Sequence, residues 1–218
     1  MKILISAYSS NPYLGSEDWF TWSALRCLAQ DHELHVITSG RNRESLMQAA
    51  TENLIPPNVH FHFAGQVSCW HPNRLRARFQ VWNEYISFSK DILPVARELH
   101  QQEKFDLAHH LTAASWRVPS PLWQLDIPFV FGPIGGYKKF PLQFLSGLSF
   151  SAAIFELLRM ASNLVSRNSS AVQKCLRGVA HVFTANIETE QLVKNLRGSE
   201  RSISRLQPGF YSAARQKS

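Results

Sequence analysis

Three short stretches carry the groups that chemistry needs. The first runs Tyr8-Ser-Ser-Asn-Pro-Tyr-Leu-Gly15-Ser16-Glu17, between an apolar run and a helical pattern. Gly15 can take a positive φ, and free N–H groups at the helix start can hold an anion. Neither GxGxxG nor GxxxxGK[ST] is present, so the spacing also fits a plain strand-to-helix turn with a cap. The second stretch is Asp106-Leu-Ala-His109-His110-Leu-Thr112. Adjacent strand side chains face opposite sides, so at most one imidazole is naturally core-facing. The other can reach a crevice as hydrogen-bond donor or proton carrier. The third is Phe131-Gly132-Pro133-Ile-Gly135-Gly136-Tyr137, followed by Lys138 and Lys139. Three glycines and a proline after a strand build a turn whose backbone can approach a ligand, or one that simply turns.

These stretches need elements to position them. Lys2–Ala7 is an apolar run suited to a buried central parallel strand. Helical spacing follows over 18–30, with Ser16 or Asp18 available as cap, then a strand over 33–38 and a helix over 43–51. A strand over 59–63 alternates through His60 and His62. Residues 75–102 read as a long helix or two, with Pro94 as a kink or a new start. Strands over 105–111 and 128–131, a helix over 142–165, a strand over 179–184, a helix over 188–196 and a short strand over 203–206 complete the chain. This alternation predicts an α/β fold: an open, mostly parallel sheet with helices on both faces. Ligands of such sheets bind at the carboxyl ends of the strands, where all three stretches fall.

Composition narrows the class. A chain of 218 residues with 44% apolar residues, 14 Phe and six Trp fills a real core, which rules out wholesale disorder. The net charge of +7 favours an anionic partner but names none. Five basic residues and one acid lie from Arg197 onward, so the body is nearly balanced and the end is basic. Cys27, Cys69 and Cys175 lie far apart without a CxxC, which argues against a disulfide framework or a cysteine zinc site and for a reducing, cytoplasmic setting. The opening apolar run is too short for a secretory signal, and the weakly charged 141–155 stretch falls short of a membrane span.

Taken together the stretches resemble family-four, group 1 retaining glycosyltransferases of the GT-B fold. The resemblance rests on Lys2-Ile-Leu-Ile-Ser-Ala-Tyr with Pro12, Gly15-Ser16-Glu17 and Trp22. It rests also on Asp106 through Arg117, Pro119 and Trp123, and on Ile127-Pro128-Phe-Val-Phe-Gly132-Pro-Ile-Gly-Gly136. It implies two Rossmann-like domains across a cleft and transfer of a sugar from a nucleotide donor without a metal. It also implies no tightly bound cofactor, with a nucleotide sugar as co-substrate once a donor domain completes the cleft. Residues 1–208 would be the amino-terminal, acceptor-side domain. Gly15, Ser16 and Glu17 would lie near the donor diphosphate, and His109 or His110 would contact the donor sugar. Thr112, Gly132, Pro133, Gly135 and Gly136 would line the cleft. The sequence departs from the pattern at Asp18-Trp19-Phe20-Thr21 and at Tyr137-Lys138-Lys139, where small residues are common.

The resemblance also implies a second, donor-binding domain carrying two glutamates eight positions apart; neither Glu188 nor Glu190 has such a partner. The expectation is a truncated amino-terminal half, inactive alone or completed by a separate donor-domain chain, with residues 209–218 as a basic tail where the linker should begin. A sugar or a lipid-linked glycan, as in exopolysaccharide synthesis, would be the acceptor. Another class stays open: a non-catalytic membrane-surface module, peripheral on the inner face of an anionic membrane. Trp70, Arg74 and Arg78 would lie on one such surface, and Lys138 and Lys139 on another. A nucleic-acid role is disfavoured, because no recognised motif appears and much of the charge sits in the tail.

Overall fold

In β1 (Lys2–Ala7), Ile3 and Ile5 pack into one buried cluster and Leu4 into another, so the strand is covered on both faces. A strand buried in this way belongs in the middle of a parallel sheet. In the computed structural model, which describes residues 1–65, 74–113, 115–199 and 202–206, the strand lies there. The side chains of 74–82 are outside that description, and so are Cys69, Trp70 and residues 209–218. The surface predicted around Trp70, Arg74 and Arg78, and the basic tail, therefore lie outside the described residues.

From β1 the chain passes through α1 (Glu17–Leu28), β2 (Glu33–Ser39), α2 (Arg43–Thr51) and β3 (Val59–Ala64). It returns through α3 (Arg74–Glu103) to β4 (Leu107–Thr112) and β5 (Phe129–Ile134). After α4 (Phe150–Asn168) and α5 (Ser170–Gly178) come β6 (His181–Thr184), α6 (Ile187–Arg197) and β7 (Ile203–Arg205). The seven strands lie in the order β3-β2-β1-β4-β5-β6-β7, every pairing parallel. Leu25 of α1 packs on one face of the sheet. Phe88 and Ile92 of α3, Cys175 and Leu176 of α5, and Val193 of α6 join the core on the other. The predicted α/β class is correct.

Several local expectations need correction. The predicted 75–102 stretch does not break at Pro94: α3 continues through it, with Ile92 and Ala96 fully buried on either side. The predicted helix over 142–165 is a 3-10 turn at Leu142–Gly147 followed by α4, because Ser149 caps a new start by accepting from the Ala152 N–H. The short helix α5 lay in a stretch without a predicted element, although Val172, Cys175 and Leu176 are spaced to bury one face. Strand β5 does not stop at Phe131. Its pairing with β6 shifts register and resumes at Ile134 with Thr184, which puts Gly132 and Pro133 inside the strand.

Candidate functional site

Strand β2 lies on one side of β1 and β4 on the other, so the chain reverses its direction of travel between β1 and β4. A sheet of this kind opens its ligand crevice at that reversal, beyond the carboxyl ends of the strands. Around it gather the loop after β1, the end of β4 and the end of β5, in adjacent positions. The first stretch, some ninety residues before the second in sequence, and the third, about twenty after it, thus become neighbours.

The loop after β1 is held by hydroxyls. Thr21 of α1 donates to the Ser9 carbonyl over 2.6 Å, and the Ser9 N–H donates to Thr112 Oγ1 over 3.3 Å, joining α1, β1 and β4. Asp18 accepts from the Asn11 N–H at 2.7 Å, and Trp22 Nε1 donates to the Ser10 carbonyl at 2.9 Å. Gly15 does not supply the positive φ predicted for it; Ser16 does, at φ 60. Ser16 stands at the cap position, but its side chain makes no capping hydrogen bond. With Glu17 and Asp18 in the first turn, the start of α1 presents negative charge rather than an open anion cradle.

Glu17 is exposed to the crevice, yet enough protein surrounds its carboxyl to raise its pKa, and the charge of Asp18 raises it further. Its Oε2 accepts from Ser9 Oγ at 3.5 Å. Trp19 and Tyr13, on the same turn and loop, expose large aromatic faces.

At the end of β4 the histidines separate as expected, one to each face. His109 is half-buried and donates from Nε2 to the Gly132 carbonyl at 2.9 Å, so it clips β4 to β5. Burial lowers its pKa. His110 is fully buried, edge-on to Phe131 with ring centroids 5.4 Å apart. Burial first, then the neighbouring His109, pushes its pKa down to about 3. Neither ring nitrogen has a hydrogen-bond partner among the described residues. The predicted catalytic role does not fit His110 here, because no part of its ring meets solvent. Thr112, predicted to line the cleft, is likewise buried beneath it and supports the Ser9 loop.

The end of β5 divides its glycines between two tasks. At Gly132, φ is 120 and a Cβ would stand 2.2 Å from the Phe183 carbonyl oxygen, so this glycine serves the approach of β6 rather than a ligand. Gly136, at φ 89, is exposed and lies against Arg117. Between them Pro133 and Gly135 are half-buried, and Gly135 bridges to Ser115. Lys138 and Lys139 are exposed and line a groove of about 340 Å³ with Tyr137, Phe140, Met160 and Arg167.

Arg41 and Tyr85 at this rim were not singled out from the sequence, and Arg117 entered only as part of a resembling segment, with no role. Arg41 follows β2, stands over the Tyr8 ring at 5.7 Å and is drawn toward Glu84 and Asp18. The strand-end rule applied to β1, β4 and β5 reaches it equally. Tyr85 donates to the Ala113 carbonyl at 2.7 Å and holds that residue at φ 59 beside the crevice. Arg117 joins the crevice wall to α4, and neither Tyr85 nor Arg117 has a local signal, because their partners are distant in sequence.

No protein-family model matches the chain, and no curated protein matches it. Among solved structures it is similar to UGT73P12 of Glycyrrhiza uralensis, solved with glycyrrhetinic acid 3-O-monoglucuronide. The TM-score is 0.47 at 11% identity, over 95% of this chain and 48% of that one. The chain therefore spans about half the length of that neighbour, and a likeness of this degree carries no weight for what the chain does.

Proposed function

We propose that this chain is the acceptor-side, Rossmann-like domain of a nucleotide-sugar-dependent glycosyltransferase, resembling the retaining family-four enzymes. The observation that carries the reading is convergence. The segments that bear the resemblance meet at the carboxyl ends of adjacent strands β1, β4 and β5, around the sheet's reversal point.

The groups open to that crevice suit a sugar. A carboxylate such as Glu17 accepts hydrogen bonds from sugar hydroxyls, Ser9 and Ser16 both donate and accept, and the exposed face of Trp19 suits the apolar face of a pyranose. The acidic first turn of α1 leaves the donor diphosphate to be held elsewhere, by a second wall of the cleft supplied by another domain or chain. That wall would also exclude water from the reacting sugar, so the chain by itself is expected to bind saccharide without measurable transfer. Probing a glycan and glycolipid array with the protein and its Glu17→Gln and Trp19→Ala variants tests the reading. Binding to particular saccharides, weakened in both variants, is expected. Failure to bind any saccharide, or equal binding by all three proteins, would overturn it.

A second reading has its own observation. Helix α4 has no buried residue, and Phe150, Leu157, Leu158, Leu164 and Val165 stand exposed along one stripe. Leu142 and Phe144 of the preceding turn are exposed as well, and Lys138, Lys139 and Arg167 line the adjoining groove. An apolar stripe beside cations suits an anionic lipid surface. Among the described residues no helix is long and apolar enough to cross a membrane, so the helix would lie on it. The two readings are compatible, since a lipid-linked acceptor would enter the crevice from such a surface.

A further inference from the structure

At the end of the sheet opposite the crevice, β2 and β3 start side by side, His35 paired with His60. Because side chains alternate, Glu33 and His35 of β2 share one face with His60 and His62 of β3. The His35 ring centroid is 4.8 Å from that of His60 and 5.3 Å from that of His62, with which it stacks. Glu33 Oε1 lies 3.4 Å from His35 Nε2 and 4.0 Å from His60 Nε2. All three ligand atoms fall within 4.8 Å of one another.

That spacing is near what a metal requires. A tetrahedral zinc ion with bonds of about 2.0–2.1 Å holds its donor atoms roughly 3.4 Å apart. The edge between Glu33 and His35 already has this length, and the others close with a small turn of the exposed His60 ring. The supporting contacts are present too. His35 is buried, its Nδ1 is 3.2 Å from His62 Nε2, and Phe105 covers it edge-on at 5.0 Å. An outer hydrogen bond on the second ring nitrogen is what orients a metal-binding imidazole. Lys2 is the competing cation: its ammonium sits 2.7 Å from Glu103 and 3.5 Å from Glu33 Oε1, the proposed ligand oxygen, so a bound metal would leave it paired with Glu103 alone. An ion pair of Lys2 with two carboxylates needs no imidazole, whereas two imidazoles and a carboxylate are a donor set for a borderline-soft cation.

We propose that Glu33, His35 and His60 bind a divalent first-row metal ion, zinc foremost, with water in the fourth position and His62 as the positioning residue for His35. The site would pin β2 to β3 away from the crevice, and it does not depend on the glycosyltransferase reading.

The test uses tag-free, chelator-stripped protein titrated with Co²⁺ and Zn²⁺ in competition with a chromophoric chelator. One equivalent of metal, and the visible absorption of four-coordinate Co²⁺, are expected. His60→Ala and Glu33→Gln, at exposed and half-exposed positions, should abolish both signals, and His62→Ala should weaken affinity about 10- to 100-fold. His181→Ala, on distant β6, should change neither. Circular dichroism of each metal-free variant confirms that the fold is kept. Less than half an equivalent bound by the parent protein, or undiminished binding by folded His60→Ala, would overturn the proposal.

Discussion

The side-chain oxygen of Asn163 accepts two hydrogen bonds from the Arg117 guanidinium, from Nε at 3.0 Å and from Nη2 at 2.5 Å. Nη2 also reaches the Gly136 carbonyl at 2.9 Å, so one side chain ties the segments after β4 and β5 to α4. Helix α4 buries no residue of its own, and this polar clamp is one of the contacts that hold it, with Arg159 donating to the Lys138 carbonyl at 3.0 Å as another. Arg117→Lys replaces a planar fork with a single ammonium, which cannot make the same contacts. Backbone amides of α4 should exchange at least about tenfold faster in the variant, equivalent to roughly 1.4 kcal/mol of local stability. Hydrogen exchange read by mass spectrometry checks this, with β1 and β4 as the unchanged reference.

The two glycine stretches should respond unequally to the same substitution. Gly132→Ala places a Cβ 2.2 Å from a backbone oxygen at a φ of 120, and neither atom can give way cheaply. A loss of about 3 kcal/mol or more is expected in urea unfolding. At Gly15 there is no atom within 4 Å of a Cβ and no positive φ, so Gly15→Ala should stay within about 0.5 kcal/mol of the parent. Any change in saccharide binding by Gly15→Ala then reports on the loop rather than on folding.

His110 should make the protein acid-sensitive. Its folded pKa is pushed down to about 3 from an ordinary 6.5, so the folded state favours the neutral ring. The unfolded chain takes up the proton first as pH falls. Stability is therefore complete above the ordinary pKa and declines as pH drops from 6.5 toward 3, by about 1.4 kcal/mol per pH unit. His109, whose pKa burial also lowers, acts in the same direction. Urea unfolding at pH 7 and pH 5 should show the decline, and His110→Leu should remove His110's share of it.

Vesicle co-sedimentation separates the lipid reading from a merely uncovered helix. Binding to vesicles containing phosphatidylglycerol should exceed binding to phosphatidylcholine alone. The pair Lys138→Glu and Lys139→Glu should weaken it by about 1 kcal/mol per charge removed. Leu158→Ser, at an exposed position, should weaken it without altering the fold. Binding indifferent to lipid charge would contradict the reading.

The order of elements was legible because the apolar runs match their periods. Strand β1 and helix α2 have the boundaries that periodicity gives, Lys2–Ala7 and Arg43–Thr51. Where the reading went astray, a distant contact decided the outcome. Strand β5 runs past Gly132 because β6 pairs with Ile134, and α3 passes Pro94 between buried neighbours. The site was legible as three strand ends, but the roles within it were not. His109 and His110 look equivalent in sequence, and only the pairing to Phe131 and Gly132 shows that one is sealed in and the other bridges strands. Arg41 stands at a strand end that the same rule reaches, whereas Tyr85 gains its place from the Ala113 carbonyl after β4, which no local pattern reveals.

On the reading proposed above, saccharide binds at the reversal point of the sheet. Its most direct test is a ¹⁵N–¹H spectrum of the protein titrated with n-octyl glucoside, UDP-glucose and GDP-mannose in turn. The octyl glucoside, a sugar on a lipid-like tail, should shift the amides of Ser9, Ser16, Glu17, Ala113 and Gly136 in a saturable way. Shifts confined to the outer strands β3 or β7, or none with any of the three compounds, would contradict it.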